Sequence, residues 1–430
     1  MIDINAYSRR VFIRQGALLA SFAATLPHFI QQSAMGMLAV DGSMIGSRPG
    51  VPDERILVVV QLSGGNDGLN TVIPYGQAEY HNARPGISIG EPGKPKNGGA
   101  ALELDQAIGI GLHPNLTGFK ELHDAGKLCV VAGVGYPNPN RSHFASMDIW
   151  QSGRPEGKGT GWLGRYVDAS CNGNPAADMA VVVGRTAPLA MTGTKSTPIA
   201  FESADLFRWL GSDKNGAMDK EYQSMVRAGS LPGVEPGSQE SFLMRTALDA
   251  QLTSDRIRTA VSKKPLVAYP GNALSKQLQT VAAMIRDGMK TRVYYVSMGG
   301  FDTHANQPGG HANLMRQLGD AMLAFQKDLA AQDNDGRVMT MCFSEFGRRV
   351  RQNASNGTDH GTAGPMFLIG AGVQPGLQGT YPSLTDLDGG DLKFTTDFRG
   401  VYQEVLGKWM KAETKSVLGG EYAAPGLVLA

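Results

Sequence analysis

Cysteine is almost absent from this chain: 430 residues hold 3, namely Cys129, Cys171 and Cys342, with no C-x-x-C pair. So sparse and odd a set excludes a disulfide framework and a cysteine-rich metal centre. Cys129 and Cys342 stand inside apolar runs and read as small buried hydrophobes. An excess of either charge is missing as well, since 40 Lys and Arg against 39 Asp and Glu leave a formal net charge of +1. Without a basic surface, non-specific nucleic-acid binding has no electrostatic support, and no nucleic-acid partner is expected. No window of the mature chain reaches 18 consecutive apolar residues, so no integral membrane span is expected. Internal repeats are absent too. What is abundant is glycine, 56 of 430 residues where about 7% is usual, so many turns and close backbone approaches are expected. A hydrophobic share of 42% is enough for a sizeable core and argues against disorder.

The N-terminus carries an address. Ser8-Arg9-Arg10-Val11-Phe12-Ile13-Arg14 precedes a moderately apolar stretch from Gly16 to Ile30, interrupted by Pro27 and His28 and too short to span a bilayer. The pattern is that of a twin-arginine export signal, read by a receptor, and it places the mature chain in the periplasm or outside the cell. Residues 1–35 are assigned to the signal and 36–55, rich in Gly, Ser, Met and Pro, to a linker.

From Ile56 the organisation changes. Ile56 to Leu62 is a continuous, largely β-branched run closed by Ser63-Gly64-Gly65, as expected of a strand buried on both faces of a parallel sheet. Comparable short runs cover Leu128 to Val134, Met179 to Val183, Arg292 to Met298, Val338 to Phe343 and Met366 to Ile369. Helical patterns lie between several of them, over Asn115 to Ala125, Leu274 to Met289 and His311 to Ala331, and one amphipathic helix is predicted within Asp397 to Val417. Alternation of this kind predicts an α/β domain over 56–201 and 265–430, with helices on both faces of a mostly parallel sheet. Residues 202–264 interrupt it and read as a helical cap insertion.

Ligands of open α/β sheets gather at the carboxyl ends of the strands. Polar clusters stand at those boundaries: Asn66 to Thr71 after the first run, Asn138 to His143 after the second, Phe301 to His304 after the Arg292 run, Ser344 to Arg349 after the Val338 run, and Thr358 to Thr362 just before the Met366 run. A divalent cation such as zinc or calcium wants carboxylates and imidazoles from several loops, and Asp67, Asp302, His304, Glu345, Asp359 and His360 are candidates. Plainer readings stand beside this one. Asp67 and Asp359-His360-Gly361 also suit turns, Asp302-Thr303-His304 suits a helix cap, Glu345 can simply pair with Arg348 or Arg349, and His311 reads as a structural residue.

The order of these clusters, together with the export signal, resembles the secreted bacterial DUF1501 family. The segments that carry the resemblance are Leu62 to Pro74, Gly133 to Phe144, Gly299 to His304, Ser344 to Arg348 and Asp359 to Pro365. More distantly, that family is similar to the alkaline phosphatase and sulfatase superfamily. The resemblance implies a three-layer αβα fold and hydrolysis of a phosphate or sulfate ester, small or borne on a polymer, with one or two metal ions. Carried over by position, it makes Asp67, Asp302, His304, Glu345 and His360 metal ligands, and Phe346 takes the place of one ligand of a second ion. It implies Ser142 or Thr71 as nucleophile, with no cysteine available for formylglycine; the charge that ester hydrolysis develops then calls for Arg141 or Arg348 as clamp on the ester oxygens and His143 as general acid. The alternative is a non-catalytic exported binding protein that keeps this fold with an incomplete metal centre.

Overall fold

The computed structural model describes residues 55–97, 99–170, 177–203 and 253–429. The expected signal over 1–35, all but the last residue of the linker over 36–55 and most of the insertion over 202–264 lie outside the described residues.

Strand β1 (Ile56–Leu62) is buried along its length except for half-buried Gln61. Its side chains alternate between two cores: Ile56, Val58, Val60 and Leu62 enter one, Leu57 and Val59 the other. A strand apolar on both faces is stable only with packing on both sides. It is joined by β2 (Leu128–Gly135), β3 (Ala180–Val183), β4 (Ile199–Phe201), β5 (Val293–Met298), β6 (Val338–Ser344), β7 (Gly364–Gly370), β8 (Gly376–Gln378) and β9 (Thr396–Asp397). These nine strands form one sheet in the order β8-β2-β7-β6-β1-β5-β3-β4, with β9 beside β2.

The helices include α1 (Thr117–Asp124), α2 (His143–Ser152), α3 (Trp162–Ser170), α4 (Ala273–Arg286), α5 (Gln307–Ala331) and α6 (Phe398–Glu404). Helices α1, α4 and α5 cover one face through Phe119, Leu278 and Phe325, while α2, α3 and α6 cover the other through Trp150, Tyr166 and Tyr402. In α5 the buried residues His311, Met315, Leu318, Met322, Phe325 and Leu329 recur every three or four positions, the stripe a helix needs to lie on a sheet. The result is a three-layer αβα architecture, as expected.

One pairing decides where the chemistry collects. The sheet is parallel except at β7, which runs antiparallel to both β2 and β6. Strands β1, β2, β5 and β6 therefore end at one edge, and β7 begins there. The clusters that follow four strands and the cluster that precedes a fifth arrive at the same rim for that reason.

Smaller elements were not foreseen. Val72–Ile73, Leu102–Asp105 and Ile110–Leu112 form a three-stranded sheet. Arg348–Gln352 and Thr358–His360 form a hairpin in which Arg348 pairs with His360. The single C-terminal helix expected within Asp397 to Val417 is a correction: α6 passes into a π turn over Val405–Trp409, and a separate helix covers Thr414–Leu418. Lys411 adopts the left-handed conformation (φ 54°), which ends the helix. Arg55 Nη1 donates to the carbonyls of Lys408 and Trp409 at 2.8 and 3.2 Å, satisfying groups the interrupted helix leaves open. No helix of the described residues is long and apolar enough to cross a membrane.

Candidate metal centre

Asp302, in the segment after β5, is the hub of the rim. Its Oδ1 lies 2.9 Å from His304 Nε2, 3.1 Å from His360 Nε2 and 3.4 Å from His143 Nε2. His304 Nε2 and His360 Nε2 are 2.9 Å apart. One ligand atom from each of His143, Asp302 and His360 falls within 4.8 Å of the others, the spacing of a group able to hold a metal ion.

The other ring nitrogens point away, toward oxygens. His143 Nδ1 is 2.8 Å from Glu345 Oε1, and His360 Nδ1 is 2.9 Å from the Arg141 carbonyl. A carbonyl and a carboxylate only accept, so in the neutral rings the proton sits on Nδ1 and Nε2 keeps its lone pair. His304 Nδ1 lies 3.6 Å from Asp359 Oδ1, a looser version of the same arrangement. His143 Nε2 is buried and has no hydrogen-bond partner among the described residues. Lone pairs of several imidazoles thus face a carboxylate oxygen that is itself an acceptor. Acceptors turned toward acceptors repel, and a cation among them removes the repulsion. The three rings are crowded together, the centroids of His143 and His304 lying only 4.4 and 4.7 Å from that of His360, and a guanidinium sits beside them. The donor set therefore fits a metal ion.

That guanidinium belongs to Arg348, which is fully buried. Its Nη2 donates to Asp302 Oδ1 at 2.7 Å and to the Phe301 carbonyl at 3.0 Å; Nε donates to Gly65 O at 2.6 Å and Nη1 to Thr358 O at 2.9 Å. Burial pushes the Asp302 carboxyl up, but the hydrogen bond from Arg348 and its positive charge hold the group below the usual carboxylate range. Two glycines allow the loops to meet. Gly64 has φ 119°, and a Cβ there would stand 2.5 Å from Asp302 N; Gly65 has φ 71°, and its Cβ would run into the Phe346 ring at 2.3 Å. Phe346 in turn packs on His143 and His360, with centroids 4.9 and 5.0 Å away.

Of the residues expected at the ion, Asp302, His304 and His360 are brought together, and His143, expected as a general acid, joins them. Glu345 stands one step behind: Oε1 accepts from Gly64 N–H (2.8 Å) and His143 Nδ1, and Oε2 accepts from Ser344 Oγ (2.9 Å). Asp67 is not in the group. It is fully buried, accepting from Arg84 Nη1 at 2.6 Å and Gln307 Nε2 at 2.5 Å. Gln307 Oε1 accepts from Thr303 Oγ1 (3.1 Å) and Thr358 Oγ1 (2.7 Å), so Asp67 supports the rim from beneath through a glutamine. Arg348, expected to clamp the ester, spends its N–H groups on protein oxygens.

Arg141 keeps an exposed guanidinium 3.3 Å from Asp391 Oδ2. Ser142 precedes α2 as its N-cap residue and is exposed, whereas Thr71 is fully buried and donates to Asn66 Oδ1 and the Asp67 carbonyl at 2.9 and 2.8 Å. His311 is buried against Asn66, with Nε2 3.3 Å from Oδ1, and burial drives its pKa down to about 4 against the opposing charge of Asp67. Arg84, Gln307 and His113 escaped notice in the sequence; only His113, at the close of the short run Ile110 to Leu112, had a boundary to mark it.

Residues 54–411 match the model of the family described as "Protein of unknown function (DUF1501)". The chain belongs to that family. No curated protein matches this DUF1501 chain. Among solved structures it is similar to the lipoteichoic acid synthase LtaP from Listeria monocytogenes (8% identical, 93% of this chain and 81% of that one covered, TM-score 0.37). It is also similar to an alkaline phosphatase superfamily protein from Vibrio parahaemolyticus (9%, 91% and 77%, TM-score 0.37) and to the PsFucS1 sulfatase from Pseudoalteromonas sp. (9%, 94% and 80%, TM-score 0.38). At such identities and TM-scores, substrate and mechanism rest on the side chains of the DUF1501 chain itself.

Proposed function

We propose that this DUF1501 protein is a divalent-metal-dependent hydrolase of a phosphate or sulfate ester, exported through the twin-arginine route. The observation that carries the reading is the set of imidazoles anchored at Nδ1 and presenting Nε2 to Asp302 Oδ1 at 2.9 to 3.4 Å. His143, His304, His360 and Asp302 would hold the ion. A set richer in nitrogen than oxygen suits zinc or a similar cation and disfavours calcium, which takes oxygen ligands. Such an ion supplies charge neutralisation at the ester oxygens and makes a water or hydroxyl a better nucleophile.

The chain's own residues divide the remaining work. Glu345 fixes the ring of His143 and its tautomer, which makes His143 a ligand and no longer the general acid. Arg348 holds Asp302 and ties the loops at Gly65, Phe301 and Thr358 into one rim. Arg141, with its side chain 49% exposed, is the guanidinium available to two equatorial oxygens of an anionic ester, and its carbonyl orients His360. Ser142 is the accessible hydroxyl; Thr71 is sealed in the interior.

The test is hydrolysis of 4-nitrophenyl phosphate and 4-nitrophenyl sulfate before and after chelation. We expect turnover of one of them, lost on chelation, restored by zinc and abolished by His360→Asn. Turnover indifferent to both treatments would contradict the proposal. Two observations favour the second reading, a binding protein on the same ion: Arg348 is committed to protein oxygens, and Ser142 Oγ has no partner base among the described residues. Bound metal with no turnover of either ester would select it.

A further inference from the structure

A cleft of about 310 Å³ opens beside the imidazole cluster, and Phe346 is the shared wall, packing on His143 and His360 while lining the cleft. Its other apolar walls are Tyr136, Pro139, Ala363, Leu392 and Phe394. Of its polar side chains, Tyr136, Thr362 and Lys393 are already engaged, and Asn138 and Asp388, both exposed, complete the lining. Tyr136 Oη meets Ser146 Oγ at 2.8 Å and accepts from Asn140 N–H at 3.0 Å, and Thr362 Oγ1 donates to Leu392 O at 2.5 Å. Lys393 pairs with Asp386. A hydroxyl-rich ring entering here would meet mostly apolar walls and strand the donors that Asn138 and Asp388 do not reach, each at the cost of an unmade hydrogen bond. A flat apolar ring would lose nothing and would stack on Phe346 and Phe394. Phe394 is 37% exposed, a large hydrophobic side chain left partly uncovered at the rim.

We propose that this cleft binds an aromatic group, and, on the hydrolase reading above, that this group is the leaving alcohol of the ester. The enzyme would then prefer aryl over alkyl esters. Hydrolysis would add water across the P–O or S–O bond and release a phenol into the cleft, with the proton going to the phenolic oxygen and the hydroxide to phosphorus or sulfur. Phe346 would hold the ring next to the imidazoles. The ester group would remain at the rim with Arg141.

Binding of 2-naphthol to the full chain as purified, followed by the fluorescence of the naphthol, tests the cleft without requiring any reaction. We expect saturable binding, weakened about three- to tenfold by Phe394→Ala, the scale of one lost aromatic contact. Phe394→Tyr should restore it. Phe144→Ala should not change it, because Phe144 is 86% exposed and lies outside the cleft although it adjoins His143 in sequence. Where esters are hydrolysed, 2-naphthyl phosphate or sulfate should show a lower KM than the methyl ester, and Phe394→Ala should narrow that gap. Naphthol binding with this dependence but no ester hydrolysis would support the cleft and end the hydrolase reading. Equal KM for aryl and methyl esters, with naphthol unbound or insensitive to Phe394→Ala, would overturn the cleft and leave the hydrolase reading in place.

Discussion

Glu345 Oε1 lies 2.8 Å from His143 Nδ1, although 202 positions separate the two residues. Strand β6 delivers the carboxylate and the start of α2 delivers the imidazole. A carboxylate behind a ligating histidine fixes its orientation, and losing such a partner commonly lowers metal affinity about 10- to 100-fold. We expect Glu345→Ala to weaken zinc binding on that scale in a chelator competition, while zinc at saturating concentration still binds. Unchanged affinity would remove Glu345 from the centre.

Asp67 should behave in the opposite way. Its carboxylate and Arg84 form a fully buried ion pair at 2.6 Å, and breaking such a pair strands a charge at a cost of about 3 to 5 kcal/mol. Asp67→Asn should lower the urea midpoint strongly and leave the metal content of the folded fraction intact. Loss of metal at full stability would return Asp67 to the ligand set.

The contrast between Glu345 and Asp67 shows where the sequence was legible. Strands such as Ile56 to Leu62 announce themselves because burial on both faces forces an unbroken apolar run, and the clusters after them mark the rim because parallel strands end together. Distance from the centre of the imidazole cluster is a different matter. A carboxylate inside the cluster and one that only supports a member of it from behind look alike in sequence. Asp67 stood at the right boundary, but its partner Arg84 sits in a segment with no periodic signal, so a buried ion pair read as a candidate ligand. The hairpin that pairs Arg348 with His360 was hidden for a related reason: its strands are short and polar, held by the loops they join.

Acid should destabilise the fold through the histidines beneath the rim. Burial, aided by the charge of His311 and opposed by that of Asp67, pushes the pKa of His113 down to about 3; His311 is likewise pushed down, to about 4. His113 Nδ1 accepts from the Asn115 N–H at 3.0 Å, which the neutral ring allows. Between about pH 3 and 6.5 the unfolded chain binds protons that the folded chain refuses, so stability rises with pH across that window and levels off above it. We expect a lower urea midpoint at pH 4.5 than at pH 7.5, and a smaller gap in His113→Asn, which keeps an acceptor for Asn115. An unchanged gap in that variant would exclude His113 as a source.

Export is testable apart from the site. Twin arginines are read jointly, so replacing Arg9 and Arg10 by lysine should leave the precursor in the cytoplasm on fractionation. Normal export of the double variant would remove the localisation.

The most direct measurement is the metal-to-protein ratio, by elemental analysis, of the chain purified without chelators. We expect about one zinc-like ion per chain, lost in Asp302→Ala and in His360→Ala and retained in His123→Gln, whose ring lies on α1. A chain that carries no stoichiometric metal even after incubation with zinc, or that keeps its ion when both Asp302 and His360 are replaced, would contradict this expectation.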